Sequence, residues 1–187
     1  KRCLVSATIG SYSNPLISDE PIINVCFNTI ESRNIELIHT NNTIETARKK
    51  IEEITEEHPD DKILIAFNAV KGGIIPIIKS INEDLRQDCA VLCGIKSKPY
   101  VEEYYTEIIE QQLPKRINFM TCTYFVGIDI RHRFHLISIA DANIIHSLLS
   151  VDKFQQISGR CRDAEGLLSE TIIYSTSTQR NSIPENI

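Results

Sequence analysis

From Asn42 onward, short apolar runs alternate with longer segments whose apolar residues recur at helical spacing, and few architectures satisfy that alternation. An apolar run with no polar face suits a strand buried on both sides, the kind found in parallel sheets flanked by helices. Asn42 followed by Glu45 is a capping pattern, and Ile44, Ala47, Ile51 and Ile54 then mark one face of a helix expected over residues 43–58. Pro59-Asp60-Asp61 stops it, and residues 62–67 (KILIAF) read as a buried strand that ends at Asn68. Ile74, Ile75, Ile77, Ile78, Ile81 and Leu85 form the next helical face, with Pro76 tolerable only in a first turn.

The unit recurs along the chain. Residues 89–93 (CAVLC) read as a strand, and residues 100–113 as a helix with Val101, Tyr104, Tyr105, Ile108 and Ile109 inward. Further strands are expected over 116–120, 135–140 (HLISIA) and 171–175 (TIIYS), with a helix over 151–161 N-capped by Ser150. The expected fold is α/β, a mainly parallel sheet with helices on both faces, because right-handed crossovers return each helix to the sheet. Before this unit, Leu4-Val5 and residues 22–27 look like strands, and residues 34–39 are expected to return antiparallel to 22–27. Residues 10–21, rich in Ser, Asn and Pro, read as a linker and residues 177–187 as a fraying tail. In an open parallel sheet a ligand binds outside the carboxyl ends of the strands, here Asn68, Gly94, the loop 121–129 and Asp141.

Composition removes several classes. With 20 Lys and Arg against 25 Asp and Glu, the chain carries a formal charge of -5, which argues against a generic basic nucleic-acid coat but allows a local basic groove. No apolar run is long enough to span a bilayer, so a membrane partner is not expected. The six cysteines form no Cys-x-x-Cys pair, and Cys3, Cys26, Cys89 and Cys93 lie in apolar runs, which suits reduced, buried thiols in an intracellular protein of the cytoplasm or nucleus.

The most specific feature is Gln156-Ile157-Ser158-Gly159-Arg160-Cys161-Arg162 at the end of the last helix. Together with Thr121 through Gly127-Ile128-Asp129, the strand ending at Asn68 and the opening Ser6-Ala7-Thr8, it resembles the second, C-terminal RecA-like domain of superfamily 2 helicases. In that resemblance Ser6-Ala7-Thr8 stands as motif III, residues 62–68 as motif IV, 121–129 as motif V and 156–162 as motif VI. Residues 1–21 would be the end of a first RecA-like domain and a linker, and 22–176 the second domain.

The resemblance implies an ATP-driven nucleic-acid helicase or translocase. ATP and Mg2+ would be held mainly by the N-terminal RecA-like domain of the same polypeptide, since this sequence has no Gly-x-x-x-x-Gly-Lys-Thr loop and no Asp-Glu-x-x metal motif. Arg160 would be the arginine finger, because a guanidinium is planar, always ionised and multidentate. It is expected to face a solvent-filled cleft and support no packing. Gln156 would reach phosphate or the attacking water, Gly159 would let the backbone come close, and Gly127 would shape the loop that brings Asp129 to an arginine or the ribose. Ser6 and Thr8 would couple the two domains. Thr121 would bond a nucleic-acid phosphate, with Asn68, Lys71, Lys96, Arg131 and Arg133 as further backbone contacts.

Most members of the superfamily place the second arginine three residues after the first, where Asp163 stands here, while Arg162 is two residues on. A Gly-Arg-x-Arg ending is similar to the herpesvirus origin-binding-protein branch and related viral primase-helicases, which implies DNA as the substrate and admits a viral source. The shifted spacing leaves open whether Arg162 contacts phosphate, Asp129 or a neighbouring backbone. Taken alone, Gly-Arg-x-Arg is more often a surface cluster than a finger, and the accompanying motifs reverse that balance. Cys122, His132 and His135 as a nucleophile and base are disfavoured against core cysteine and loop histidines. Arg48-Lys49-Lys50 reads as a solvated face paired with Glu45, Glu52 and Glu53. The competing functions are a degenerate RecA-like module that binds nucleic acid or protein without hydrolysis and, last, a Rossmann-type enzyme, for which no Gly-x-Gly-x-x-Gly follows any strand.

Overall fold

A sheet of six strands, every described pairing parallel, runs in the order β1-β6-β5-β2-β4-β3 through the computed structural model, which describes residues 34–163 and 165–176. In chain order the elements are β1 (Ile35–His39), α1 (Thr43–Glu57), β2 (Ile63–Ala66), α2 (Ile75–Ser80), α3 (Glu83–Arg86), β3 (Cys89–Leu92), α4 (Lys98–Val101), β4 (Ile117–Met120), β5 (His135–Ala140), α5 (Val151–Ser158) and β6 (Ser169–Tyr174). The expected α/β architecture is therefore present. The expectations placed on Ser6, Thr8, Cys3, Cys26, the strands before residue 34, the linker and the tail lie outside the described residues.

Why these strands bury both sides is visible in their alternation. Ile63, Ile65 and Phe67 join one apolar cluster with Ala47 and Ile51 of α1 and Ile77 and Ile78 of α2. Leu64 and Ala66, between them in sequence, join a second cluster with Phe125, Phe134 and Ile157 of α5. Successive side chains point to opposite faces, so a run apolar at every position feeds two cores. Asn118, fully buried on β4, fits there because its amide donates to the Ile63 and Lys115 carbonyls and accepts from the Lys115 amide.

Helix α1 starts as its sequence dictates, with the Asn42 side chain accepting from the Glu45 amide at 3.1 Å. The reciprocal arm of the capping box is not made, because Glu45 turns to Arg48 and Lys49 instead. Arg48 also pairs with Glu52, and Lys50 with Glu53 and Glu36, so the basic run is the paired helix face expected.

Strand β1 pairs in parallel with β6, with Leu37 beside Ile172, and the antiparallel pairing expected with residues 22–27 lies outside the described residues. Two expectations need correction. The face from Ile74 to Leu85 is broken: a π-helical turn over Val70–Ile74 precedes α2, Pro76 sits in the first turn of α2, and Ile81 is extended before Asn82 caps α3. Gly73 makes that wide turn fit, since a Cβ there would stand 2.2 Å from the Phe67 ring. The helix expected over residues 100–113 is the largest departure. Only α4 and a 3-10 turn over Glu102–Tyr104 form, and Glu102, Glu110 and Gln111 take positive φ values of 23°, 52° and 61°.

The physical reason lies at the edge of the sheet. Val101, Tyr104 and Tyr105 pack on the core under α1 and α2, whereas Ile108 packs on the opposite one and Ile109 is exposed. The chain thus wraps around the edge strand β3, with the Thr106 amide bonded to the Val91 carbonyl at 3.3 Å. A straight helix cannot serve both faces. No helix among the described residues is long and apolar enough to cross a membrane.

Candidate functional site

Two regions gather the residues singled out by sequence. The first is an open cleft of about 800 Å³ at the carboxyl ends of β2, β3 and β4. Parallel strands ending together leave a crevice there, and the loops that follow them line it. Asn68, Lys71, Lys96 and Thr121 all line this cleft. Asn68 ties its walls: its amide donates to the His146 carbonyl at 2.7 Å, and its oxygen accepts from the Cys122 amide at 3.2 Å. Thr121 is buried, and its hydroxyl points to the Leu92 carbonyl at 3.5 Å, so its first role is to close the β3–β4 end.

Tyr100 and Tyr105, expected on a helix, also line the cleft. The Lys71 ammonium lies 3.7 Å from the centre of the Tyr100 ring, and that of Lys98, which is not itself a lining residue, lies 4.3 Å from the centre of the Tyr105 ring. Tyr124 completes an aromatic lining, and the Tyr105 hydroxyl donates to Glu107 at 2.8 Å, which with burial pushes its phenol up to about 12. The signal for them was present as Lys96-Ser97-Lys98-Pro99-Tyr100, cations interleaved with an aromatic just past a strand end. It was masked by reading Tyr104 and Tyr105 as the inner face of a helix.

The second region joins the loop before β5 to the end of α5. Gly127 takes φ +82°, the left-handed conformation that glycine tolerates, and no atom would meet a Cβ there, so the requirement is conformational. Helix α5 begins where Ser150 accepts from the Lys153 amide and ends at Ser158, three residues before the expected end, so Arg160 lies beyond the helix. Ile130 and Cys161 form a parallel bridge: the Ile130 amide donates to the Arg160 carbonyl at 2.8 Å, and the Arg162 amide to the Ile130 carbonyl at 2.7 Å.

That bridge fixes the side chains of the second region. Arg160 donates through Nε to the Gln156 carbonyl at 2.8 Å and through a terminal nitrogen to the Ile128 carbonyl at 2.9 Å. It is half-buried and braced by these two carbonyls, and it belongs to neither apolar cluster. Burial, and then the Arg162 charge, push its pKa down from the ordinary arginine value. Arg162 donates to Asp129 at 2.7 Å, and this bond holds the Asp129 carboxyl below its usual range. The Arg162 side chain thus makes the Asp129 contact, one of the alternatives left open for it. Gln156 accepts from the Lys153 ammonium at 3.1 Å through its side-chain oxygen, and Gly159 caps α5 with an ordinary φ of −69°.

Arg131 and Arg133 do not join the cleft. Arg131 is exposed, with its amide on the Gln111 carbonyl. Arg133 precedes the first residue of β5, which puts it at the amino edge of a parallel sheet, opposite Asn68 and Thr121, where it pairs with Glu165 at 2.7 Å. His132 and Cys122 share no contact, and Cys89, whose burial pushes its thiol up to about 12, behaves as a core residue. Neither region offers a carboxylate set for Mg2+, since Asp129 is taken by Arg162. Searches against protein-family models and against curated proteins find nothing that matches this chain.

Proposed function

We propose that this chain is the C-terminal motor domain of an ATP-dependent nucleic-acid helicase or translocase, with DNA as the substrate. The observation that carries the reading is the joining of the loop 127–131 to residues 159–162 through the Ile130–Cys161 bridge and the Arg162–Asp129 pair. A motor of this kind needs a cation held in place before the phosphoryl group moves, because charge fixed in advance costs no reorganisation at the transition state. Arg160 fits that role. Its guanidinium is oriented by two neutral carbonyls, so its position is set while its charge is left uncompensated by a contacting carboxylate. Asp129 orients Arg162 beside it. ATP, when bound between this domain and an N-terminal one, would supply the phosphoryl group; the residues of this chain would supply the cation and hold the nucleic acid.

The cleft supports the second half of the reading. Ammonium groups of Lys71 and Lys96 can meet phosphates, and the faces of Tyr100 and Tyr105 can stack on bases without selecting a sequence. A binding module without hydrolysis is the second reading: half-burial and two bonds to backbone carbonyls are also what a purely structural arginine makes. Steady-state ATPase measurement on the full-length protein, with and without single-stranded DNA, separates the two. Loss of stimulated turnover in Arg160→Ala with ATP affinity little changed supports the motor. Unchanged turnover in that variant supports the module.

A further inference from the structure

At the amino edge of the sheet, away from both regions above, three potential ligands converge from different elements. His58 is the C-cap of α1, Asp61 lies in the turn before β2, and His135 opens β5. One nitrogen of each imidazole and one oxygen of Asp61 all lie within 4.8 Å of one another. The Asp61 oxygen stands 3.3 Å from His135 Nε2 and 3.8 Å from His58 Nδ1, and the two rings are tilted with centres 4.9 Å apart. Ligands about 2.0 Å from a tetrahedral ion are separated by little more than 3 Å, so the cluster needs only small side-chain shifts to close on one.

We propose that His58, Asp61 and His135 form a Zn2+ site with a fourth position open to solvent. The set is a borderline one of two imidazoles and a carboxylate, which suits zinc better than the all-oxygen shells that calcium and magnesium require. His135 is positioned for it. Its side chain is 6% exposed, and its Nδ1 is 2.8 Å from the Ser169 hydroxyl. Without metal, Nε2–H can donate to the Asp61 carboxylate; with the proton on Nδ1 and donated to Ser169, the Nε2 lone pair is turned to the same point as the Asp61 oxygen and can ligate an ion there. The neighbouring Lys62 ammonium turns away to the Leu113 and Lys115 carbonyls. His58 and Asp61 are 48% and 38% exposed, which provides the entry path.

Zinc and cobalt titrations of the full chain test this directly. One equivalent of Zn2+ should bind by calorimetry and raise the thermal midpoint, and chelator should reverse the rise. Co2+ should give weak visible ligand-field bands without the thiolate charge-transfer band that a cysteine site elsewhere would produce. His58→Ala and Asp61→Asn should each weaken binding roughly 10- to 100-fold. Both positions are partly exposed, so these variants should fold even if His135→Ala does not, and His146→Ala should bind as the parent does. Absence of saturable binding, a thiolate band, or affinity unchanged in both His58→Ala and Asp61→Asn would overturn the proposal.

Discussion

The cleft at the carboxyl ends of β2, β3 and β4 and the junction at the end of α5 are both cationic, yet they hold their charges in opposite ways. In the cleft, Lys71 leans on the face of Tyr100 and is in no ion pair among the described residues. A ring quadrupole attracts an ammonium weakly and leaves it free to swing to a phosphate. At the junction, Arg160 is gripped by two carbonyl oxygens and Arg162 by a carboxylate. One region presents mobile charge and the other fixed charge; in the proposed motor the first would meet the nucleic acid and the second the phosphoryl group.

The sharpest way to break this contrast is at Arg160. In the full-length protein Arg160→Ala should lower DNA-stimulated ATP turnover by about a thousandfold or more, and Arg160→Lys should not restore it, because an ammonium cannot reach both carbonyls and a phosphate with one planar fork. The same substitution should lower unfolding free energy by roughly 1–2 kcal/mol, since the Gln156 and Ile128 carbonyls lose a charged donor, and chemical denaturation reads that loss. If turnover falls only in Arg162→Ala, the fixed charge of the junction is assigned to the wrong guanidinium.

In the cleft the effect should be smaller and should depend on salt. Lys71→Ala with Lys96→Ala should weaken single-stranded DNA binding and reduce the slope of log affinity against log salt by about one to two, as phosphate contacts are removed. Tyr100→Ala should cost about 1–3 kcal/mol of binding with little change in that slope, because stacking releases no counterions. Equal slopes in all three proteins, measured by fluorescence titration at several salt concentrations, would mean that the lysines are not phosphate contacts.

The two regions should also part at low pH. Asp141, at the end of β5, accepts from the Thr43 hydroxyl, the Ser175 hydroxyl and the Asn143 amide. Its own amide is held by Ser147, next to the His146 that Asn68 grips in the cleft wall. Burial pushes the Asp141 carboxyl up, and these hydrogen bonds outweigh it, leaving the group below its ordinary value of 3.8. A depressed carboxylate contributes stability that is complete above the unfolded value and lost as pH falls through the folded one. Thermal midpoints should therefore fall below about pH 4, and Asp141→Asn should be less stable at neutral pH with a flatter acid limb. Breaking Asp129–Arg162, an exposed and solvent-screened pair, should leave the denaturation midpoint of Asp129→Asn almost where it is in the parent, the smallest change expected.

How far the sequence carried these conclusions follows from what each segment contacts. Strands β2 through β6 were legible because a run such as ILIA is apolar at every position and has no alternative but burial on both sides. Gly127 was legible because a left-handed turn admits few other residues. The segment after β3 was not. Val101, Tyr104, Tyr105 and Ile108 imitate a helical stripe by spacing, but the stripe is divided between two cores on opposite sides of the sheet, a relation that local periodicity does not encode. The separation of Arg133 from the cleft was hidden for a related reason: it is close in sequence to Thr121, whereas the chain between them travels from one edge of the sheet to the other. The bonds of Arg160 to carbonyls were invisible because backbone acceptors carry no residue signature.

The strap that passes from Val101 to Ile108 around β3 has a consequence for how copies of this protein meet. A lateral strand offers unpaired amides and carbonyls to any chain that can lie beside it, and repeated addition at such an edge builds ribbons. Here the Val91 carbonyl is already taken by the Thr106 amide, and Tyr105 sits against the same strand. The sheet is thereby finished on that side by its own polypeptide. Shortening the strap would reopen the border, and the first sign of its loss would be growth in particle size under light scattering, ahead of any fall in helix content.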